Sequence, residues 1–289
     1  MKKISNLLKL FRYNKVSTNY KGSAQQVGFI IGTGRCGTTI LSKVLNSHSR
    51  ICVPHELQIV LGVENGDRFY EKYISGELKK FKAKDCINLI ERRCPYKFDE
   101  FFDYKNHFKS LSYPQADLMD LLQNLFDHIC FANGKSIFIE QTPWYGQRLN
   151  ILKEIFPNMK IIHVVRDGRD VALSFAKSPW WSNDVETNML QWEKEVKLIH
   201  SFGIKYPENF VEIKYEDLVQ NTEHELKKVL QLFGLEYEAD ILNPDKLINY
   251  DKFLKGDNSK NVSKEYKDWS SSKKQVFSQE VLTHGKIMT

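Results

Sequence analysis

The stretch VGFIIGTGRCGTTILSKVL, residues 27–45, decides the fold. An apolar run leads into a glycine-rich turn with one arginine, and two threonines then open a run with helical spacing. When a buried strand enters a helix through such a turn, several backbone N–H groups and the positive end of the helix dipole point at one place. The stretch therefore predicts a strand–loop–helix unit that binds a phosphate-type anion.

The spacing of the glycines separates this loop from that of a nucleoside triphosphatase. The Walker pattern requires Gly, four residues, Gly, Lys and then Ser or Thr. Residues 32–37 match its first six positions, but Thr38 stands where the lysine belongs, and the positive charge comes earlier, at Arg35. Because a triphosphate with Mg²⁺ relies on that lysine, the loop predicts a smaller anion that is held without a metal.

A second segment, HVVRDGRDVALSF at 163–175, repeats the strand–turn–helix layout. Arg166 stands where the strand should end, and Ser174 follows eight residues later. An arginine fork and a serine hydroxyl can together bind a phosphate. The charged residues at 167–170 allow the alternative of a solvated ion-pair network at a helix start. Two anion sites at neighbouring strand ends would suit a nucleotide with phosphates at both ends of its ribose.

The wider pattern predicts a doubly wound α/β fold with a mostly parallel central sheet flanked by helices. Further strand candidates have long apolar runs, which are typical of parallel sheets covered on both faces. They are 136–140, 160–165 and 209–215. Helical periodicity lies between and after them, at 117–131, at 188–202 and from Thr222 to Gly234, where Glu225 completes a capping-box pattern. Ligands are expected at the carboxyl ends of the strands.

The composition predicts a single α/β domain over residues 23–289, because 42% hydrophobic content supports a large core. Residues 65–114 have no clear period, and they are interpreted as a helical insertion or lid, or as an ordinary surface excursion. No apolar run is long enough to cross a bilayer. Five scattered cysteines without metal-knuckle spacing indicate a reduced, cytoplasmic protein.

The net charge of +6 has a local origin at 1–22, where six basic residues and no acidic ones occur. Removing these six from the 42 basic residues leaves 36, which balance the 36 acidic residues, so the charge does not indicate a nucleic-acid partner. Apolar residues at helical spacing make this leader a basic amphipathic helix. Its expected role is either peripheral contact with the inner face of a membrane or packing on the body of the protein.

Taken together, the two loops resemble those of the sulfotransferases that use 3′-phosphoadenosine 5′-phosphosulfate, and the pattern is closest to the tyrosylprotein and glycan branch. In that family the 5′-phosphosulfate loop reads P-[KR]-[SA]-G-T-T, and residues 34–39 here read GRCGTT. The family's 3′-phosphate motif has an Arg and a Ser eight residues apart. The segments EQTPWY (140–145) and KYEDLVQNTEHELKKVLQLFGL (214–235) also resemble family blocks.

The resemblance implies a co-substrate site and no metal. The residues implied for the 5′-phosphosulfate are Arg35, Cys36, Gly37, Thr38 and Thr39. Arg166 and Ser174 would hold the 3′-phosphate. A further basic loop near the C-terminus usually closes over the nucleotide, and NVSKEYKDW at 261–269 is its candidate, with Lys264 or Lys267 as the donor.

The same resemblance implies a catalytic base shortly after the first helix, past a short strand. The segment ICVPHELQ at 51–58 fills that place. Glu56 is the predicted base and His55 is the alternative; in a non-catalytic interpretation Glu56 caps a helix. Arg35 would stabilise the charge that builds up during transfer. In one departure, Gln141 stands where many relatives have a lysine before Thr-Pro.

The predicted function is transfer of a sulfuryl group to a hydroxyl by in-line displacement, with a carboxylate as base. A saccharide or glycolipid acceptor is favoured, and tyrosine or another phenol is the alternative. Four aromatic residues are expected either to form a stacking surface for the acceptor or to belong to the core: Trp144, Tyr145, Trp180 and Trp181. Two other functions stay open, a P-loop-type nucleotide kinase or hydrolase and a non-catalytic nucleotide-binding relative.

Overall fold

The computed structural model describes residues 26–54, 56–58, 60, 118–179 and 181–243, and single positions 87, 88, 91, 105, 106 and 109. Several expectations fall outside these residues: the leader at 1–22, His55, Trp180, the loop at 261–269 with Lys264, and most of 65–114.

A five-stranded parallel sheet forms the centre of the described chain, in the order β2-β3-β1-β4-β5. The strands are β1 Gln26–Ile31, β2 Ile51–Cys52, β3 Ile137–Gln141, β4 Lys160–Val165 and β5 Phe210–Lys214. This confirms the predicted α/β fold with its parallel sheet and strand–loop–helix unit.

The register of the sheet decides which loops meet. The central strand β1 pairs with β3 through Ile30 and Gln141, and with β4 through Ile31 and His163. Because all strands run in the same direction, the segments that follow β1, β3 and β4 leave from one edge. The two predicted anion loops therefore start from adjacent strands.

Seven helices whose bounds the structure describes surround the sheet. They are α1 Thr38–Asn46, α2 Leu118–Ala132, α3 Leu149–Ile155, α4 Gly168–Ala176, α5 Val185–Lys205, α6 Tyr215–Gln220 and α7 Thr222–Leu232. Short 3₁₀ turns cover Pro143–Arg148, Pro207–Asn209 and Ala239–Leu242. Of the described helices, none combines the length and the hydropathy that a bilayer crossing requires.

The ends of α7 test two predictions. Gly234 ends this helix as predicted, with a φ of +67°, and the Leu235 N–H returns to the Leu230 carbonyl. The predicted capping box is wrong, because Thr222 is the first helical residue and no side chain caps the N-terminus. Glu225 is 3% exposed and pairs with Lys228 instead, so its carboxylate is held away from that end.

Apolar side chains cover the sheet on both faces. On one face, the Phe126 ring of α2 stacks on Phe138 of β3 with centroids 3.8 Å apart. On the other face, β1, β3 and β4 pack against buried residues of α1, α4 and α7, among them Leu41, Val171 and Leu226. Each such side chain contributes roughly 1.5–3 kcal/mol of hydrophobic stabilisation. This two-sided burial explains why the strands are continuously apolar.

Candidate active site

The loop between β1 and α1 has a tightly curled backbone. Gly34, Arg35 and Gly37 have φ values of +79°, +55° and +99°. Of these three residues, Arg35 adds the most conformational strain, because a residue with a Cβ rarely adopts this left-handed region. Gly37 is the N-cap of α1, no side chain caps this helix, and its first turn carries no acidic residue. Its first N–H groups are therefore left to bind an external anion.

Two contacts explain why the loop requires small residues. A Cβ added to Gly37 would lie 2.3 Å from Cδ2 of Tyr215, the first residue of α6. A Cβ on Gly32 would lie 2.5 Å from the Sγ of Cys36. The Cys36 side chain is buried beneath the loop, and burial raises the pKa of its thiol to about 11. Cys36 therefore packs as a neutral thiol, and only its backbone is available to a ligand.

The two threonines that open α1 differ in their surroundings. Thr39 is exposed, whereas Thr38 is buried and its Oγ1 accepts a hydrogen bond of 3.3 Å from Nε2 of Gln141. Gln141 ends β3 and is 1% exposed. A neutral amide thus occupies the position where the resemblance implies a lysine, and it leaves the Thr38 hydroxyl hydrogen free to point to another acceptor.

The turn after β4 is organised by ion pairs. Arg166 donates from Nη2 to Oδ2 of Asp170 at 2.8 Å and from Nη1 to the Arg35 carbonyl at 3.3 Å. Its guanidinium also lies over the Tyr215 ring, 4.8 Å from the centroid. Asp167 pairs with Arg169 and caps α4 by accepting from the Arg169 N–H. The ion-pair alternative is therefore present here, and Arg166 still reaches the first loop.

A direct side-chain bond joins the first loop to α4, the helix that follows the second turn. Nε of Arg35 donates to Oγ of Ser174 at 2.9 Å, across 139 residues of sequence. Together with the bond from Arg166 to the Arg35 carbonyl, this brings Arg35, Arg166 and Ser174 into one cluster. The two predicted anion loops therefore lie side by side in the structure.

The predicted aromatic residues separate into two groups. Trp144 and Trp181 stack with centroids 5.1 Å apart, and Phe175 of α4 stacks on Trp181 at 4.7 Å. This partly buried cluster packs beside Gly34 of the first loop. Tyr145 instead belongs to the core: it is 1% exposed and donates to Oε1 of Glu140 at 2.9 Å.

Glu56 lies half-buried in an irregular segment that follows β2. Residues 56–58 are not helical, and the next residue, Leu57, is fully buried. Since β2 pairs with β3, this segment starts from the same edge of the sheet as the anion loops. The catalytic role of Glu56 stays a prediction, and His55 and Lys264 lie outside the described residues.

The sequence did not predict three contacts at this end of the sheet. They are the hydrogen bond from Gln141 to Thr38, the ion pair of Asp170 with Arg166, and the packing of Tyr215 against Gly37 and Arg166. The spacing of four residues between Arg166 and Asp170 was a usable signal for an ion pair. Within the described ranges, no group of three or more His, Cys, Asp or Glu side chains could hold a metal ion.

The fold and this edge define a parallel α/β protein with two adjacent strand–loop–helix units. The chain belongs to the sulfotransferase family, because the family model matches residues 29–239, which is more than half of its length.

Named relatives agree with this assignment. Protein-tyrosine sulfotransferase A of Caenorhabditis elegans is 27% identical over 232 residues, covering 77% of this chain and 53% of that protein. An omega-hydroxy-beta-dihydromenaquinone-9 sulfotransferase of Mycobacterium bovis is 23% identical over 252 residues, covering 72% and 62%. The chain thus spans less than two thirds of the length of the curated relatives that it matches first.

Solved structures support the fold. The sulfotransferase domain of the Synechococcus PCC 7002 olefin synthase has a TM-score of 0.53 and 23% identity, over 80% of this chain and 81% of that one. The sulfotransferase domain from the curacin biosynthetic pathway has a TM-score of 0.53 and 20% identity, over 77% and 79%.

Proposed function

We propose that this protein transfers a sulfuryl group from 3′-phosphoadenosine 5′-phosphosulfate to a hydroxyl acceptor. The observation that carries the proposal is the 2.9 Å bond between Arg35 and Ser174, which joins the loop before the open N-terminus of α1 to α4, the helix that follows Arg166. One nucleotide with anionic groups on both sides of its ribose can span these loops. An ordinary monophosphate would engage only one of them.

The proposed roles follow from the chemistry of each group. The N–H groups of α1, with Thr38 and Thr39, bind the 5′-phosphosulfate, and Arg166 with Ser174 binds the 3′-phosphate. The acceptor oxygen attacks sulfur while the bond from sulfur to the bridging oxygen breaks. Arg35 and the helix end stabilise the charge that develops on the leaving phosphate. Glu56 takes the proton of the acceptor hydroxyl.

For the acceptor we propose a saccharide or glycolipid hydroxyl first, with a tyrosyl or other phenolic hydroxyl as the alternative. The stacked Trp144 and Trp181 beside Gly34 support an acceptor with a ring, because such surfaces bind sugars and phenols alike. The names of the relatives agree with the tyrosyl alternative and add a hydroxylated menaquinone to the classes to be screened. A screen with radiolabelled sulfate donor against saccharide, glycolipid, tyrosyl, other phenolic and hydroxylated menaquinone acceptors distinguishes these classes.

Cytoplasmic action and peripheral membrane contact through the leader at 1–22 are parts of the same proposal. They are supported by the basic, acid-free composition of the leader and by the free thiols of Cys36, Cys52 and Cys130. Sedimentation of the full chain with anionic lipid vesicles, compared with a chain that lacks residues 1–22, tests the contact. Equal sedimentation of both chains contradicts it.

Calorimetry with adenosine 3′,5′-bisphosphate and with ATP tests the nucleotide. We expect binding of the bisphosphate without Mg²⁺ and much weaker binding of ATP. Preferred binding of ATP with Mg²⁺ would favour the kinase or hydrolase instead, for which the loop lacks the Walker lysine.

The Glu56→Ala variant tests the base. We expect it to bind the bisphosphate normally and to lose roughly 100-fold or more of its transfer rate. Glu208→Ala is the matched control, because Glu208 is exposed and precedes β5 at the opposite edge of the sheet. Equal transfer by Glu56→Ala and Glu208→Ala would reject Glu56. Bisphosphate binding without transfer to any acceptor would favour the non-catalytic relative, the function that Gln141 suggests.

A further inference from the structure

The guanidinium of Arg166 is held from three sides before any ligand arrives. Asp170 accepts from Nη2 at 2.8 Å, the Arg35 carbonyl accepts from Nη1 at 3.3 Å, and the Tyr215 ring lies 4.8 Å away. The Arg166 and Asp170 side chains are only 11% and 6% exposed. This ion pair is therefore almost completely removed from water.

Stability alone does not account for such a pair. Moving two charges out of water costs free energy that their attraction only partly repays. Burial raises the pKa of the Asp170 carboxyl although Arg166 lies beside it. Within the described residues, Arg166 Nε and Asp170 Oδ1 are both buried and have no hydrogen-bond partner. The pair is thus kept at a cost to the fold, while Nη1 and Nη2 of Arg166 each retain a second N–H that a ligand can use.

The N-terminal end of α4 explains why an anion at this turn would need the N–H groups of Arg166. The N-terminus of α4 is already occupied by the Asp167 side chain, which accepts from the Arg169 N–H. Backbone groups there are less available to an outside anion than those of α1. An anion at this turn must therefore be bound mainly through the Arg166 side chain. Its affinity then depends on the orientation of the guanidinium.

We propose that Asp170 is a positioning residue, which fixes the Arg166 guanidinium against Tyr215 so that it meets the 3′-phosphate in one orientation. This inference rests on the proposed function, because the 3′-phosphate belongs to the proposed co-substrate. Asp170 does not touch the nucleotide. It acts only through Arg166, and its negative charge opposes the binding of the phosphate.

Orientation and charge can be separated by two substitutions. In Asp170→Asn the amide oxygen still accepts from Nη2, while the opposing charge is removed. In Asp170→Ala both the acceptor and the charge are lost, and Arg166 is free to turn. Positioning therefore predicts opposite changes: the asparagine variant gains affinity for the 3′-phosphate and the alanine variant loses it.

The test is calorimetry of the full chain with adenosine 3′,5′-bisphosphate and with adenosine 5′-monophosphate. The ratio of the two affinities reports the 3′-phosphate alone, and affinity for the monophosphate reports the rest of the site. We expect Asp170→Ala to lower the ratio about tenfold, as the loss of a charge-assisted hydrogen bond implies. We expect Asp170→Asn to raise it, and both variants to keep the monophosphate affinity. Asp240→Ala, a change at an exposed carboxylate, should leave the ratio unchanged.

An alanine variant with the wild-type ratio would overturn the positioning role. Equal losses in both variants would also overturn it, because the amide acceptor that Asp170→Asn keeps would then make no difference. If the alanine variant does not fold, the asparagine variant decides, since a lowered ratio there also overturns the proposal. A wild-type chain that binds neither nucleotide would instead defeat the proposed function, and the inference would fall with it.

Discussion

The loop after β1 and the turn after β4 share a strand–turn–helix layout, yet the chain completes their helix ends differently. At α1 the N-cap is Gly37, without a side-chain cap and without an acidic residue in the first turn. At α4 the N-cap is Asp167, which accepts from the Arg169 N–H, and Asp170 follows in the first turn. An open helix end binds an anion with its backbone, whereas an occupied one leaves binding to side chains such as Arg166. Similar sequence patterns therefore encode two different helix ends, which the proposed function makes two different kinds of anion site.

A carboxylate introduced at the uncapped N-terminus of α1 should have the largest effect on nucleotide affinity. Thr39→Asp places a carboxylate at an exposed position in the first turn. We expect it to stabilise the helix by about 0.5 kcal/mol, and to weaken adenosine 3′,5′-bisphosphate binding roughly 100-fold or more through repulsion at close range. Calorimetry and denaturant unfolding measure the two effects. The control is Thr39→Asn, which has the same shape without the charge; similar affinities for both variants would contradict the open-end interpretation.

Distorting the same loop without adding charge should have the next largest effect. Gly37→Ala forces a Cβ to 2.3 Å from the Tyr215 ring at a φ of +99°. We expect a loss of bisphosphate affinity of about tenfold or more, since strain of this kind costs roughly 1–3 kcal/mol.

Gly134→Ala is the matched control for that change. Gly134 has a φ of +65°, but a Cβ there meets nothing within 4 Å. It should lose about 1 kcal/mol of unfolding free energy and bind the bisphosphate as the wild type does. Equal affinities for Gly37→Ala and Gly134→Ala would show that the loop tolerates the distortion.

Removing the cap of α4 should change stability rather than binding. For Asp167→Ala we expect the free energy of unfolding to fall by about 1 kcal/mol, which is the usual cost of a lost N-cap. Bisphosphate affinity should not fall, because Asp167 is engaged with Arg169 and brings negative charge to the turn. Denaturant unfolding and calorimetry give the two values. A tenfold loss of affinity would mean that Asp167 belongs to the nucleotide site.

The smallest expected effect is on the pH dependence of the free energy of unfolding, to which β4 should contribute and β1 should not. No titratable residue lies in β1, whereas His163 of β4 is fully buried and donates from Nδ1 to Glu212 at 2.9 Å. Burial lowers the pKa of His163, although Glu212 partly offsets this. The folded protein therefore binds this proton less readily than the unfolded chain, and stability should decrease as the pH falls below about 6.5.

His163→Gln removes that titration and keeps a neutral donor for Glu212. Unfolding free energies between pH 7.5 and 5 should therefore fall less steeply than in the wild type. A separate decrease should remain below about pH 4.5. Burial raises the pKa of Glu212, but its hydrogen bonds, including the one from His200, lower that pKa by more than burial raises it, so the folded protein binds this proton less readily than the unfolded chain. A profile as steep as that of the wild type would assign the acid sensitivity elsewhere.

The parts of the fold that depend on local pattern could be predicted from the sequence. Continuous apolar runs predicted the bounds of β1 and β4 to within one residue, and Gly234 predicted the end of α7. The prediction of a capping box at Thr222 was wrong because Glu225 is buried and paired with Lys228. Neither fact can be deduced from the spacing of residues in the sequence. The contacts that complete the site join residues far apart in sequence, such as Gln141 with Thr38, so only the sheet order reveals them.

The position of β1 in the middle of the sheet has a consequence for synthesis of the chain. Val27 pairs with Phe138 and Gly28 with Lys160, so neither neighbour exists when β1 leaves the ribosome. At about 5–20 residues per second, the second neighbour follows roughly 7–26 seconds later. During that interval an apolar strand has two unpaired edges, which is the condition that promotes aggregation. Of the described strands, β1 waits longest for its neighbours, and its need for chaperone protection is therefore the greatest among them.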